Sequence, residues 1–195
     1  MSATFRNASD ALIHLSKSLL ENSRWVPGRT GEVREIKGVN FTLENPLERE
    51  VNVPPRRASL LAQIAETLWV LSGKNDVEFI SHYLPRAKEF SDDGVTWRAG
   101  YGPRLRSWQG VDQVAAVCQL LTADPHSRRG VISLFDPAED FLIDTVDVPC
   151  NNWLAFQTTA RDGVDELDLF VSTRSNDIIW GWSGINQFEW SVLLE

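Results

Sequence analysis

Cys150 is the side chain in this sequence with the clearest potential for covalent chemistry. It follows a proline and precedes two asparagines, a polar setting that favours an accessible thiol. A thiolate is a strong nucleophile, and a nearby cation increases the fraction of cysteine in that form. Cys118 has a different setting, because three aliphatic residues share its predicted helical face, and we expect it to pack as inert filler. From its own context, Cys150 fits a nucleophile and an inert residue equally well.

Two arginine-bearing loops supply cations at the ends of predicted elements. Arg128 and Arg129 stand between a helix and a strand, and Arg174 with Ser175 follows another strand. Arginine presents a planar fork of donors that matches phosphate oxygens, and serine adds a hydroxyl donor. In an acidic chain, these loops fit either a monophosphate site or ordinary surface salt bridges. Arg29, in a glycine-flanked loop, is a further candidate for the same site.

Two other polar residues lie in less polar surroundings. Glu66 falls inside the most apolar predicted helix, so its carboxylate either turns out to solvent or is held in a cleft where desolvation tunes proton transfer. Tyr101 lies between glycines in a predicted loop, and its hydroxyl needs a partner if it is buried. The three histidines lack metal-ligand spacing, and the sequence contains no P-loop or G-x-G-x-x-G motif. We therefore expect no metal.

The composition sets bounds on the class of protein. The 195 residues suffice for one domain with its own core, and 43% hydrophobic and 24% charged residues are typical of a globular chain. The net charge of -8 disfavours binding to nucleic acid or to an anionic membrane. The sequence has no apolar run long enough for a membrane span and no signal-peptide segment at its N-terminus. We expect a cytoplasmic protein.

The first half of the chain is predicted to be mainly helical. Ser9 and Asp10 are candidate caps of a leucine-bearing helix, and residues 32–41 alternate in a way that predicts a strand pair. Apolar spacing over residues 59–73 predicts the clearest helix, which Gly73 ends. A further helix is predicted over residues 111–121. These helices would carry Glu66 and lead into the first arginine loop.

The second half of the chain predicts a sheet. Its strands are rich in β-branched and aromatic residues, with an Arg-Asp-Gly turn between the last two: 131–135, 153–159 and 167–173. Cys150 therefore precedes one strand and Arg174 follows the next. A helical pattern begins at Asn186 and runs to the last residue without a cap, which favours a domain that is C-terminally incomplete.

Taken in order, these segments resemble the thymidylate synthase and deoxycytidylate hydroxymethylase family. The resemblance extends from about Arg29 to the C-terminus and rests on these motifs: Arg29-Thr30-Gly31, Glu66-Thr67-Leu68-Trp69, Tyr101-Gly102, Asp124-Pro125-His126-Ser127-Arg128-Arg129, Pro149-Cys150 and Arg174-Ser175-Asn176-Asp177. One motif alone is weak, whereas the whole set in this order is specific. It implies a single α/β (α+β) domain over residues 1–195, built on a twisted mixed β-sheet flanked by helices.

The resemblance also implies roles for the candidate residues. Cys150 would add to C6 of a pyrimidine nucleoside monophosphate, and C5 would then attack the methylene group of the co-substrate, 5,10-methylenetetrahydrofolate. Glu66 and Tyr101 would be catalytic residues in proton transfer, and Asp177 would contact the reduced folate. The phosphate would be held by five residues, two of them lent by the other subunit of a homodimer: Arg29, Arg174 and Ser175, with Arg128 and Arg129 from the other subunit.

The departures from the family concern the base. Thymidylate synthases usually carry histidine where this chain has Asn151, and the base-reading position falls on Ile185 without a gap or on Asn186 with one inserted residue. Asn186 and Asn151 are therefore the base-binding candidates, with uracil and cytosine both open. Methylation and hydroxymethylation are also both open. The alternatives are a non-catalytic nucleotide-binding remnant of the family and an unrelated cysteine hydrolase, which lacks an obvious catalytic histidine motif here.

Overall fold

The chain contains both helices and strands and is therefore a mixed α and β fold. The computed structural model describes residues 2–28, 31–54, 56, 58–141 and 144–195, so Arg29, a predicted phosphate ligand, lies outside the described residues. The chain divides into two units, Met1–Gln63 with Asp177–Val192 and Ile64–Asn176 with Leu193–Glu195. The strands are distributed over three sheets, one parallel and two antiparallel. The single domain over residues 1–195 stays a prediction.

The first unit contains two small sheets and a long helix. Its four strands pair as β1 with β4 in parallel and as β2 with β3 in an antiparallel hairpin: β1 Ser2–Phe5, β2 Arg24–Gly28, β3 Gly31–Glu35 and β4 Asn40–Leu43. The predicted strand pair within residues 32–41 is therefore wrong, because each half pairs with an earlier strand. Helix α1, Ala8–Asn22, is capped by Asn7, whose side chain accepts from the Asp10 N–H at 3.0 Å.

The first unit ends in a π-helix followed by an α-helix. The π-helix spans Ile178–Asn186 and α7 spans Gln187–Leu194, so the helical pattern predicted from Asn186 is confirmed and a wider helix precedes it. The sequence did not predict the π-helix, because its i to i+5 bonding leaves no simple apolar period. The core of this unit joins three fully buried residues to three partly buried ones: Ala8, Leu12 and Val51 with Val53, Ile178 and Trp182.

Five α-helices lie between β4 and β6: α2 Leu60–Leu71, α3 Val77–Ser81, α4 Tyr101–Arg106, α5 Gln113–Ala123 and α6 Pro137–Asp140. A 3-10 turn over Ala87–Phe90 separates α3 from α4. Gly73 follows α2 with a φ of 81°, the left-handed conformation in which glycine ends helices. Both predicted helices are confirmed. Cys118 on α5 is exposed and not packed, so its predicted packing is wrong, while its inertness stays a prediction.

The sheet of the second unit follows the predicted strands. Three antiparallel strands lie in the order β5-β6-β7: β5 Val131–Ser133, β6 Asn151–Arg161 and β7 Val164–Thr173. Asp162 and Gly163 join the last two with φ values of 50° and 81°, as the predicted tight turn requires. Leu154 and Phe156 face the core from β6. On the opposite face, Trp153, Val131 and Phe170 remain exposed.

None of the helices in the described ranges is both long and apolar enough to span a bilayer.

Candidate active site

Cys150 lies immediately before β6, where two other segments hold its main chain. The Tyr101 hydroxyl oxygen accepts from the Cys150 N–H at 3.2 Å and from the Asn151 N–H at 3.1 Å. The Arg174 main-chain N–H donates to the Cys150 carbonyl at 2.9 Å. The thiol itself is partly exposed. Three predicted site residues, Cys150, Tyr101 and Arg174, therefore meet at one end of the sheet.

The side chain of Arg174 encloses the residues that precede the thiol. Its Nε donates to the Pro149 carbonyl at 2.8 Å and its Nη2 to the Val148 carbonyl at 3.2 Å, and Nη2 lies 4.0 Å from Cys150 Sγ. A cation beside a thiolate stabilises its negative charge. Arg174 lies beside Cys150 because β6 pairs with β7, which puts the start of one strand next to the end of the other.

An open cavity of about 460 Å³ adjoins Arg174. Aromatic side chains form much of its wall, and polar groups come from β5, from β6 and from the residue after β7. The lining residues are Ser133, Phe135, Phe141, Asn152, Trp153 and Arg174. Ser175 is exposed directly after Arg174. A guanidinium and hydroxyl groups beside open space can take up an anion, while the aromatic wall can pack against a flat ring.

Tyr101 is the first residue of α4, so its predicted place in a loop is wrong. The two glycines around it do not prevent helix formation, since the helix begins at this residue. The start of α4 directs the phenol towards the N–H groups of Cys150 and Asn151. Two N–H donors aimed at one oxygen stabilise negative charge on it, the arrangement that supports proton transfer through a hydroxyl.

Asn151 has an unusual environment next to the thiol. The residue is fully buried, and neither its Oδ1 nor its Nδ2 has a hydrogen-bond partner among the described residues. Native proteins nearly always satisfy buried amides, because an unpaired one costs roughly 1–3 kcal/mol. Both hydrogen-bonding groups of this amide are therefore unused beside Cys150, and its role in base binding stays a prediction.

Glu66 is buried in α2, so the alternative in which its carboxylate turns out to solvent is wrong. Buried apolar residues share the helix with it: Ala62, Ala65, Trp69 and Val70. Loss of solvation raises the pKa of Glu66 to about 8. A carboxylic acid that keeps its proton at neutral pH can act as a proton donor.

Glu66 is expected to make the protein less stable as the pH rises. The folded-state pKa of about 8 lies above the ordinary value of 4.5, so the native protein holds a proton that the unfolded chain releases between these values. The free energy of unfolding should therefore fall through this window, on the order of 1 kcal/mol per pH unit. Urea unfolding at pH 5 and pH 8 measures the change, and Glu66→Gln should remove it.

The exposed Glu78 on α3 offers a matched control, because Glu78→Gln should keep the wild-type pH dependence. The same slope in wild type and Glu66→Gln would show that Glu66 ionises normally and would exclude it as a proton donor at neutral pH.

Arg128 and Arg129 lie in an exposed loop after α5 and form no hydrogen bond or ion pair through their side chains within the described part of the chain. The loop is fixed to the middle of β6, because the Phe156 N–H donates to the Gly130 carbonyl at 2.7 Å. Phe156 is six residues along the strand from Cys150, which corresponds to roughly 20 Å. One chain therefore holds these two arginines far from its own thiol.

Asp177 and Asn186 belong to the first unit. The Asp177 carboxylate caps the π-helix by accepting from the N–H groups of Ile179 and Trp180 at 2.8 and 2.5 Å through one oxygen, Oδ1. Asn186 is the last residue of the π-helix and is half-buried, as is Ile185. Contact of Asp177 with folate and of Asn186 with the base stay predictions.

A buried ion cluster that the sequence did not predict lies beside the segment before Cys150. Asp140 is fully buried and accepts from Arg104 at 2.6 and 2.8 Å and from Arg98 at 3.0 Å. The two arginines lie 36 and 42 residues before Asp140 in the sequence. The apolar Leu105 beside Arg104 in a short helix is the one sequence feature that suggests burial of Arg104, and it does not identify Asp140 as the partner.

Metal-ligating side chains do not cluster in the parts of the chain that the structure describes: no three histidine, cysteine, aspartate or glutamate residues there are placed to hold an ion.

Comparison with known proteins identifies the family. Residues 11–195 match the family model described as thymidylate synthase. Similar proteins include the deoxyuridylate hydroxymethyltransferases of Bacillus phage SP01, 38% identical over 178 residues, and of Pseudomonas phage M6, 38% identical over 150 residues. These alignments cover 86% and 77% of this chain but 45% and 42% of the relatives. The thymidylate synthase of Mycoplasma genitalium is 32% identical over 144 residues, or 74% of this chain and 42% of the relative.

A solved structure shows the same fold. The crystal structure of thymidylate synthase from T4 phage aligns with a TM-score of 0.67 and 25% identity, over 92% of this chain and 66% of that one. The chain thus spans less than half the length of the curated relatives it matches. The match over residues 11–195 and the shared fold confirm the predicted fold class and family. This chain belongs to the thymidylate synthase family.

Proposed function

We propose that this protein transfers a one-carbon unit from 5,10-methylenetetrahydrofolate to C5 of a pyrimidine nucleoside monophosphate, through a covalent bond between Cys150 and C6. The observation that carries the proposal is the meeting of a partly exposed thiol with the Arg174 guanidinium 4.0 Å away and the Tyr101 hydroxyl on the adjoining N–H groups. The nucleophile, a cation and a proton-transfer group thus lie next to one another.

The residues suit the successive steps of such a reaction. The Cys150 thiolate forms a bond to C6, and the C5–C6 electron pair moves to C5, which then forms a bond to the folate methylene carbon. Tyr101 takes up the proton that C5 loses, and Glu66, protonated at neutral pH, supplies protons to the base. Elimination of the folate nitrogen then leaves an exocyclic methylene on C5. After water or a hydride has added to this methylene, the Cys150 thiolate leaves C6.

The named relatives favour hydroxymethylation of deoxyuridylate. Three of the similar phage proteins are deoxyuridylate hydroxymethyltransferases, at 32% to 38% identity. In that branch water adds to the exocyclic methylene, whereas in thymidylate synthesis the folate also gives up a hydride. We propose the hydroxymethylating branch for this chain.

Its two unpaired cysteines suit the reducing cytoplasm, which we propose as its location.

Release of tritium from C5 tests the proposed function. The complete natural protein is incubated with methylenetetrahydrofolate and either deoxyuridylate or deoxycytidylate labelled at C5, and the product is identified by mass spectrometry. Tritium release with a hydroxymethylated uracil product is expected. Nucleotide binding without any release would instead support the non-catalytic remnant of the family, and a methylated product would place the protein with the synthases.

A homodimer is the second part of the proposal. The outer face of the sheet leaves Val131, Trp153 and Phe170 exposed, an apolar surface that a second copy of the same sheet can cover. The loop of Arg128 and Arg129 is anchored at Phe156, which lies roughly 20 Å along β6 from Cys150 of the same chain. Both observations support a dimer in which each chain supplies two arginines to the phosphate site of the other.

Mixing two inactive variants is expected to restore activity if the arginines act across the dimer. One variant carries Cys150→Ala and the other carries Arg128→Ala with Arg129→Ala. Random exchange makes half of the dimers mixed, each with one intact site, so about one quarter of the wild-type activity should return. The assay is turnover after the mixed subunits are unfolded and refolded together. No recovery would assign the arginines to their own chain or to no site.

Asn186 is expected to read the pyrimidine edge. Its amide offers a donor and an acceptor and so suits uracil or cytosine, whereas a carboxylate accepts only and favours the 4-amino group of cytosine. Asn186→Asp should therefore shift the preference towards cytidine monophosphates, on the order of 1 to 3 kcal/mol. Competition binding of the two nucleotides measures the shift. An unchanged ratio would place Asn186 outside the base pocket and leave Asn151 as the candidate.

A further inference from the structure

Residues 98–101 lie alongside the segment that ends in the thiol and contact it at two places. At one end, the Arg98 guanidinium donates through Nη2 to the main-chain oxygen of Asp147, and the Ala99 N–H donates to Asp147 Oδ2 at 3.1 Å. At the other end, the Tyr101 hydroxyl accepts from the Cys150 N–H. The same short stretch therefore holds Asp147 from both its main chain and its side chain, three residues before the nucleophile.

Arg98 connects this segment to the buried ion cluster. Its Nη1 donates to Asp140 Oδ1 at 3.0 Å and to the Glu139 carbonyl at 2.8 Å, while Nη2 also donates to Thr145 Oγ1 at 3.2 Å. Asp140 is in turn fixed by the fully buried Arg104. One planar guanidinium thus bonds to the fixed Asp140 on one side and to the residues that lead to Cys150 on the other.

The connecting residues need such support, because residues 144–150 form no helix or strand. Three of their carbonyls bond to side chains instead, that of Asp147 to Arg98 and those of Val148 and Pro149 to Arg174. The Asp92 carboxylate lies on a second side of the Arg98 guanidinium, with Oδ2 3.7 Å from Nε. The same carboxylate accepts from the Val146 N–H at 2.9 Å and so also contacts the connecting residues.

We propose that Arg98 is a positioning residue that sets the place of the Cys150 thiol relative to the bound pyrimidine. The inference rests on the proposed function of Cys150. Arg98 does not touch the thiol; it acts through Asp147 and Thr145. The fork geometry is the basis of the role, since a lysine ammonium cannot bond to Asp140 on one side and to two loop oxygens on the other.

Arg98→Lys tests the role, with Arg86→Lys as the matched control because Arg86 forms an exposed ion pair with Glu89 on the surface. Amide hydrogen exchange over residues 145–151 should accelerate about tenfold or more in Arg98→Lys and remain unchanged in β7. Formation of the covalent complex with 5-fluorodeoxyuridylate and methylenetetrahydrofolate should slow about tenfold, while the nucleotide dissociation constant changes less than about threefold. Wild-type exchange and wild-type complex formation in Arg98→Lys would overturn the proposal.

Thr145→Val provides a second, milder variant if Arg98→Lys does not fold. It removes the hydroxyl that accepts from Arg98 Nη2, together with the bonds of that hydroxyl to Asp92 and Asp147, without leaving a buried charge. Exchange over the same residues should therefore rise about threefold. No rise in this variant would also count against the proposal. The readouts separate the two hypotheses: if wild type forms no covalent complex, the proposed function fails, whereas the exchange measurement still decides whether Arg98 holds the thiol segment.

Discussion

Cys150→Ala is expected to abolish the covalent complex and to reduce turnover by about 10³-fold or more, because alanine has no thiol to form the bond to C6. The thiol is partly exposed, and both flanking peptide groups are fixed by Tyr101 and Arg174, so alanine removes the nucleophile without removing a main-chain contact. Denaturing mass spectrometry after incubation with 5-fluorodeoxyuridylate and methylenetetrahydrofolate measures the complex directly.

Cys118→Ala is the natural control for this experiment. Cys118 is exposed on α5 and is therefore accessible to reagents, so it tests whether accessibility alone gives a covalent product. This variant should form the complex at the wild-type rate. A complex that persists in Cys150→Ala would remove Cys150 from the mechanism, and loss of the complex in Cys118→Ala would transfer the role to Cys118.

Asp140→Asn is expected to cause the largest loss of stability, about 3–5 kcal/mol, because it leaves the fully buried Arg104 without its counter-charge. Burial alone opposes ionisation of Asp140, yet hydrogen bonds from Arg104 and from the Asp136 N–H outweigh it and hold the pKa of Asp140 below its ordinary value. The ionised form therefore stabilises the fold at neutral pH, and this contribution is lost as the pH falls through that depressed pKa.

Urea unfolding at pH 7 measures the loss, with Asp165→Asn at the exposed start of β7 as a control expected to stay within about 0.5 kcal/mol of wild type. Acidification should destabilise wild type more than Asp140→Asn. A difference below about 1 kcal/mol at pH 7 would mean that the cluster adds little beyond a surface ion pair.

The active-site geometry combines two kinds of support. Strand pairing sets Arg174 beside Cys150, because β6 and β7 form one tight antiparallel hairpin. Side-chain bonds from Arg98 and Tyr101 then hold the irregular segment in front of β6. The first support is local in the chain, whereas the second joins residues about fifty positions apart.

The sequence by itself determined the elements whose signals are local. The i, i+3, i+4 apolar spacing of α2 and the β-branched strands with a tight turn at Asp162 and Gly163 predicted structure from neighbours alone, and the structure confirms them. The ordered set of motifs from Arg29 to Asp177 predicted the family, which the family match confirms. Each element and each motif lies within one helix, one hairpin or one loop, whereas the family prediction needed all the motifs in their order.

Only the tertiary structure decided which polar groups are buried and what they contact. The sequence allowed the Glu66 carboxylate to be either exposed to solvent or held in a cleft. Packing around α2 buries it, and this burial raises the pKa of Glu66. Asp140 and Arg98 carry no shared motif, yet the fold joins them across 42 residues. Burial and long-range ion pairing depend on how elements pack, and no periodicity within a single element encodes that packing.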